Sequence, residues 1–125
     1  MVWTAEALAQ DGLIILEYSG LIHSGEVEAS AMETLRLAAE TGITRVLADC
    51  SSMSIGGHTI LDLALLIDWM SEMNYRHISE AIVAPPGAPA SENVDFWVLA
   101  AKNRGFNLRR FETREAALAW LATTP

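Results

Sequence analysis

Short apolar runs alternate with longer amphipathic stretches along the chain. Five runs of five to eight residues have the length and composition of β-strands; they are residues 2–9, 13–18, 45–49, 80–84 and 107–111. Asp11 and Gly12 separate the first two runs, and this dipeptide is typical of a two-residue β-hairpin turn. We therefore expect an antiparallel pair at the start of the sheet.

Four amphipathic stretches predict helices. The first begins at Ser24 or Gly25 and ends at Gly42, where a residue in the left-handed conformation is expected. Each of the others follows a hydroxyl residue suited to capping a helix N-terminus, namely Thr59, Ser91 and Thr113. The helix that starts at Ile60 is apolar around most of its circumference, so we expect it to be deeply buried.

The predicted order of elements is β-β-α-β-α-β-α-β-α. Strands joined through a helix pair in parallel by right-handed crossovers, so this order predicts an α/β fold with a mixed five-stranded sheet and four helices. A length of 125 residues suits one domain, which we take to span residues 1–125. Apolar residues make up 51% of the chain and charged residues 19%, a composition that favours a buried core.

The net charge of −8 is unevenly distributed. Residues 1–75 hold eleven acidic and two basic side chains, whereas residues 76–125 hold five acidic and six basic ones. An acidic surface repels phosphate backbones and anionic lipids, so neither nucleic acid nor a membrane is expected as a partner. The basic cluster near the C-terminus forms either one anion-binding patch or separate helix-end and strand-edge charges: Lys102, Arg104, Arg109, Arg110 and Arg114.

The chain shows no signs of secretion or membrane insertion. Cys50 is the single cysteine, so no internal disulfide forms. The N-terminus lacks the basic and apolar segments of a signal peptide. The longest apolar stretch, residues 60–70, contains Asp62 and Asp68 and is too short to cross a bilayer. We expect a cytoplasmic protein.

Three stretches together resemble the SpoIIAA-like proteins, a bacterial family grouped with STAS domains and more loosely with Sec14-type domains. The first is Asp11-Gly12-Leu13-Ile14, and the second is the strand Val46-Leu47-Ala48-Asp49 with the loop and helix after it. The third is the ending, in which Phe111, Ala117 and Trp120-Leu121 recur at the family's spacing. The resemblance covers roughly residues 11–122.

This resemblance implies a compact domain that binds rather than catalyses. In the anti-sigma factor antagonists of the STAS group, a partner kinase phosphorylates a serine at the start of the helix after a central strand. The matching region here, residues 49–59, lacks the Asp-Ser-Ser-Gly signature in register. Thr59 and Ser54 lie near the equivalent place and are the possible phosphoacceptors.

The segment after the third strand is the first candidate for a ligand- or partner-binding loop. Its hydroxyl groups and glycines lie before a helix N-terminus, which suits an anion, and at a strand carboxyl end, where α/β sheets bind ligands. The candidate residues are Ser51, Ser52, Ser54, Gly56, Gly57, His58 and Thr59. The alternative is that Thr59 caps the helix and the glycines only shape the turn.

The second candidate follows the fourth strand, where Pro85, Pro86 and Ser91 lie at what we expect to be the same rim of the sheet. This stiff apolar loop either forms one wall of a pocket, together with Met53 and Ile55, or simply covers the sheet end.

No complete catalytic or metal site is apparent in the sequence. Gly56-Gly57-His58-Thr59 lacks the lysine of a P-loop, and Asp49, Ser54 and His58 lack the Gly-x-Ser-x-Gly elbow of a hydrolase. The histidines have no ligand-like spacing, and Cys50 is expected to be a buried apolar group. We expect no cofactor, no metal and no enzymatic activity.

Three functions remain open at this point. The first is a STAS-type regulatory module that docks a protein partner or a small ligand at the loops after the strands. The second is a carrier or sensor of a small apolar or amphipathic ligand, and the third is an enzyme with an unrecognised site. A homodimer is also expected if Trp3 and the first hairpin form an open sheet edge.

Overall fold

The computed structural model describes residues 2–55, 60–72, 77–87 and 90–125. Five strands and four helices lie within these ranges. In chain order they are β1 (Trp3–Leu8), β2 (Leu13–Ile22), α1 (Ser24–Thr41), β3 (Arg45–Ile55), α2 (Ile60–Glu72), β4 (Ser79–Val83), α3 (Ala90–Asn103), β5 (Asn107–Phe111) and α4 (Arg114–Leu121).

The strands form one mixed sheet in the order β1-β2-β3-β4-β5. β1 and β2 pair antiparallel, and every later pair is parallel. The predicted α/β architecture, with a mixed five-stranded sheet and four helices, is therefore confirmed. β1 is an edge strand, and the expected homodimer through it stays a prediction.

Three helices cover one face of the sheet and one helix covers the other. Because consecutive parallel strands are neighbours, crossovers of one hand place α1, α2 and α3 on the same face. Leu16 and Ile82 point to this three-helix face and pack with Ile67 of α2. On the opposite face, the α4 face, Leu47 packs with Leu121.

Helix ends follow the predicted signals at two of the three described positions. Gly42 has φ 76°, and its N–H donates to Ala38 O, as expected of a left-handed cap. Thr113 Oγ1 accepts a hydrogen bond from Ala116 N at 3.2 Å. Ser91 is not a cap, because α3 begins at Ala90 and the Ser91 N–H already bonds to Gly87 O in the helical pattern.

Removing the Thr113 cap is expected to destabilise the fold modestly. Thr113→Ala leaves the Ala116 N–H without its side-chain acceptor, which typically costs about 1 kcal/mol. Urea-induced unfolding followed by circular dichroism measures this loss. Thr123→Ala is the control, because the Thr123 hydroxyl bonds only within the C-terminal turn after α4; a larger loss from the control would contradict the capping role.

β3 is longer than its apolar run. The sequence predicted a strand that ends at Asp49, but β3 continues to Ile55 because β2 also extends and pairs with it as far as Ile22. A strand lined by serines is stable here, since one neighbour supplies the backbone hydrogen bonds. Ser51, Ser52 and Ser54 therefore lie in a strand and not in a loop.

A β-bulge changes which residues of β3 face the helices. The register moves from Glu17–Asp49 to Ser19–Ser52, so two residues of β3 lie opposite Tyr18. One extra residue reverses the alternation of side chains beyond it. Met53, and not Ser52, therefore shares the three-helix face with Tyr18.

α2 is much more exposed than its sequence predicts. Leu61 is 66% exposed, Leu65 58% and Trp69 36%, and these side chains form a stripe at a spacing of four residues. Among the α2 residues with a described side chain, only Leu63 and Ile67 are buried. The expectation of deep burial was wrong, because α2 packs chiefly along α3 and reaches the sheet with one edge.

Two arginines of the basic cluster near the C-terminus form separate ion pairs. Arg104 pairs with Asp68 at 2.6 Å, and Arg110 pairs with Asp95 at 2.9 Å. These contacts favour the interpretation of separate local charges over a single anion-binding patch. Across the described residues, no helix combines the length and apolar character that crossing a bilayer requires.

Candidate functional site

An apolar cavity of about 120 Å³ lies between the three-helix face of the sheet and the helices. Small side chains create the space, because Ala31 of α1, Ala48 of β3 and Ala101 of α3 all border it. α2 contributes Leu63 and Ile67 from above. The cavity is therefore a consequence of small residues at inward positions and of a helix that does not settle fully onto the sheet.

Glu80 places a carboxyl group in this apolar space. It lies on β4 opposite Val46 of β3 and Leu108 of β5, both inward-facing core residues. Glu80 lines the cavity and is partly buried. Burial raises the pKa of Glu80 to about 7, although a hydrogen bond from the Trp97 side chain favours the charged form.

Tyr18 and Ser30 form a hydrogen-bonded pair beside the cavity. The Ser30 hydroxyl donates to Val27 O at 2.9 Å, so the Tyr18 hydroxyl donates its hydrogen to Ser30 Oγ at 2.5 Å. Burial holds the pKa of Tyr18 above its usual value. The phenol therefore stays protonated, and towards the cavity it offers only an acceptor lone pair.

Tyr18→Phe is expected to lower the free energy of unfolding by about 1 kcal/mol. Ser30 keeps its bond to Val27 O in this variant, so only one hydrogen bond is lost. Urea unfolding measures the effect. The matched change Tyr18→Leu should cost more, because it also removes ring packing against the core; equal losses would contradict the account.

Cys50 is buried beside the cavity, as the sequence predicted. Burial raises the pKa of the thiol, and the nearby carboxyls of Glu80 and Asp49 raise it further. The protonated thiol is a much poorer nucleophile than the thiolate. Cys50 therefore acts as a small apolar wall of the cavity.

The described serines of the predicted binding loop do not line this cavity. Ser52 and Ser54 lie opposite Ser19 and Leu21 in the parallel register, and thus on the α4 face. Both serines are exposed. Gly56, Gly57, His58 and Thr59 lie outside the described residues, so Thr59 as a cap or phosphoacceptor stays a prediction. Ser54, the other predicted phosphoacceptor, is an exposed strand residue.

The two predicted loops follow the neighbouring parallel strands β3 and β4, but these strands end at different positions along the strand direction. Asp49 pairs with Val83 at the end of β4, and β3 continues for six residues beyond that point. Six residues of strand span roughly 20 Å. Pro85 is buried and Pro86 exposed close to the β4 end, whereas β3 ends at Ile55, far beyond it.

Asp49, one member of the rejected hydrolase triad, is engaged elsewhere. Its carboxylate accepts from the Ser51 N–H at 3.0 Å and the Ser51 hydroxyl at 2.6 Å, and Arg114 donates to it at 3.1 Å. Burial raises the pKa of Asp49, but these hydrogen bonds outweigh burial and lower the pKa overall. Arg114 also lies 3.6 Å from Glu17, so it ties α4 to two strands.

Among the residues with described positions, no group of three or more histidine, cysteine or acidic side chains is placed to hold a metal ion. The chain matches no protein-family model and no curated protein. The resemblance to the SpoIIAA-like family therefore remains a prediction.

Glu80 is the residue that sequence reasoning missed. The signal was present, since Glu80 and Ile82 are two residues apart in a short strand and must point to the same face. That spacing implies a carboxyl group turned inward. The Trp97 side chain is its hydrogen-bond partner.

Proposed function

We propose that the protein binds a small apolar ligand in the cavity beside Glu80, as a carrier or a sensor. The observation that carries the proposal is an apolar space with one inward-facing carboxyl group, bordered by three helices and the sheet. Ligand sites commonly combine an apolar lining with a few polar groups that fix orientation.

The size of the cavity supports a ligand of roughly six non-hydrogen atoms. An engineered apolar cavity of about 150 Å³ in another protein takes up benzene, and this one measures about 120 Å³. An unfilled space of this size costs about 3 kcal/mol at the rate found for cavities left by core truncations. A bound ligand would offset that cost.

A titration with benzene tests the proposal. Benzene should shift the Trp97 indole N–H resonance in the NMR spectrum of the native protein. Ala31→Leu, which adds a larger side chain at the cavity wall, should abolish the shift. Ala39→Leu is the control, because Ala39 lies exposed on the same helix.

Two results would contradict the proposal: no shift in the native protein, or an equal shift in Ala31→Leu. Native mass spectrometry of freshly purified protein adds an independent readout, in which a retained natural ligand appears as an added mass.

A second candidate is the docking of a protein partner, the regulatory role that the STAS resemblance implies. The exposed stripe of Leu61, Leu65 and Trp69 favours it. Leu65 and Trp69 also line a groove between α1 and α2 that Glu28 borders. Since residues 1–75 carry a formal charge of −9, the matching partner is a basic amphipathic helix.

A basic amphipathic peptide of heptad design tests this second candidate. It should bind the native protein more tightly than its acidic counterpart, and Leu65→Ser should weaken the binding. Leu21→Ser is the control, because Leu21 is comparably exposed but lies on the α4 face. Equal affinity for both peptides, or an unchanged affinity in Leu65→Ser, would contradict it.

A further inference from the structure

We infer that the cavity selects a small apolar amine, whose nitrogen binds Glu80. This inference rests on the proposed ligand-binding function and adds the chemical class of the ligand. It follows from the hydrogen-bonding groups that face the cavity and from the charges that line it.

Three hydrogen-bond donors beside the cavity already have acceptors. The Tyr18 hydroxyl donates to Ser30, and the Trp97 side chain donates to Glu80. The Thr34 hydroxyl donates to Ser30 O at 2.8 Å. Tyr18 and ionised Glu80 retain acceptor capacity, which suits a ligand that supplies a donor hydrogen.

The charges lining the cavity favour the same class of ligand. Glu80 carries the one carboxyl group among the described lining residues. None of those residues is a lysine, arginine or histidine. Tyr18 and Cys50 also titrate, but burial keeps both neutral. A carboxylate or phosphate ligand would lie beside Glu80, which is either negatively charged or protonated. No described lining residue would supply a positive charge to balance the ligand.

An amine enters without leaving an uncompensated charge. When neutral amine meets protonated Glu80, the nitrogen lone pair takes the carboxyl proton, which gives an ammonium ion beside a carboxylate. The pair is neutral overall, and the Trp97 side chain remains hydrogen-bonded to the carboxylate. Charge-assisted hydrogen bonds of this kind are about twice as strong as neutral ones.

Three probes of matched size separate the possibilities: cyclopentylamine, methylcyclopentane and cyclopropanecarboxylate. Binding is followed at pH 7 by the Trp97 indole N–H shift and by calorimetry, in the native protein and in Glu80→Gln. We expect Glu80→Gln to weaken amine binding by about 10-fold or more and to change methylcyclopentane binding by less than about 3-fold. The carboxylate should not bind. Glu6→Gln is the control, because Glu6 is exposed on β1.

The outcomes distinguish failure of the amine inference from failure of the ligand-binding function on which it rests. If methylcyclopentane binds but the amine does not, the inference is overturned and the ligand-binding function stands. Amine binding that survives Glu80→Gln, or binding of the carboxylate, also overturns the inference. If none of the probes shifts the Trp97 indole N–H resonance, the proposed function itself is contradicted.

Discussion

Replacing Glu80 by glutamine is expected to raise the free energy of unfolding by about 3 kcal/mol at pH 8 and to change it little at pH 4. Burial raises the pKa of Glu80 from 4.5 to about 7, so the folded protein binds this proton more tightly than the unfolded chain does. Stability from this group is greatest below pH 4.5 and is lost as the pH rises through 7. Glutamine removes the ionisation and keeps an acceptor for Trp97.

Urea unfolding across this pH range measures the effect as the difference between variant and native protein. Taking the difference cancels the other carboxyl groups, including Asp49, whose lowered pKa makes it lose stability on the acid side. Tyr18 and Cys50 face Glu80 and stay protonated throughout. Glu6→Gln controls for the change of side chain itself, because Glu6 is exposed on β1. A flat difference for Glu80→Gln would contradict the burial of its carboxyl group.

Leu47→Ala is expected to lower the free energy of unfolding by about 2–5 kcal/mol, the usual cost of truncating a buried leucine. Leu47 is fully buried in the α4 face of the sheet, where it packs with Ala117 and Leu121. Arg114 at the start of α4 pairs with Glu17 and Asp49 of the sheet. Urea unfolding measures the loss. The slope of the free energy of unfolding against urea concentration should stay unchanged.

Leu65→Ala is the matched control for this truncation. Both changes remove the same atoms, but Leu65 is 58% exposed on α2. The change at Leu65 should therefore alter stability by less than about 0.5 kcal/mol. A loss comparable to that of Leu47→Ala would mean that something covers the exposed stripe in solution, and would contradict the position of α2.

The order and type of the elements could be predicted from periodicity because each one follows local rules. Gly42 ends α1 through its left-handed backbone, and Thr113 caps α4 through its hydroxyl group. These signals act within four residues of the helix end, so a single sequence contains them in full. The Asp11-Gly12 signal located the antiparallel pair, but the predicted two-residue turn was wrong, because Leu8 pairs with Leu13 and the turn spans the four residues 9–12.

The end of β3 could not be predicted, because its cause lies in another strand. Residues 50–55 have no continuous apolar pattern, and they form a strand since β2 extends beside them. The bulge opposite Tyr18 then turns Met53 inward in place of Ser52. Reading the serines as a loop therefore missed that they lie in a strand, with Ser52 and Ser54 on the α4 face of the sheet.

The burial of α2 could not be predicted either, because composition does not show how closely a helix approaches its sheet. Leu63 and Ile67 reach the core, while Leu61, Leu65 and Trp69 remain outside it. The space left under α2 is the cavity itself. The exposed stripe and the candidate site thus have the same origin.

Xenon binding in a crystal of the native protein tests the central claim most directly. Xenon enters apolar cavities that open transiently, and its electron density is unmistakable. The account predicts a xenon atom beneath α2, in contact with the side chains of Leu16, Ile82 and Trp97, and its loss in Ala31→Leu. A pressurised crystal with no xenon at that position, or a structure in which side chains fill the space, would contradict it.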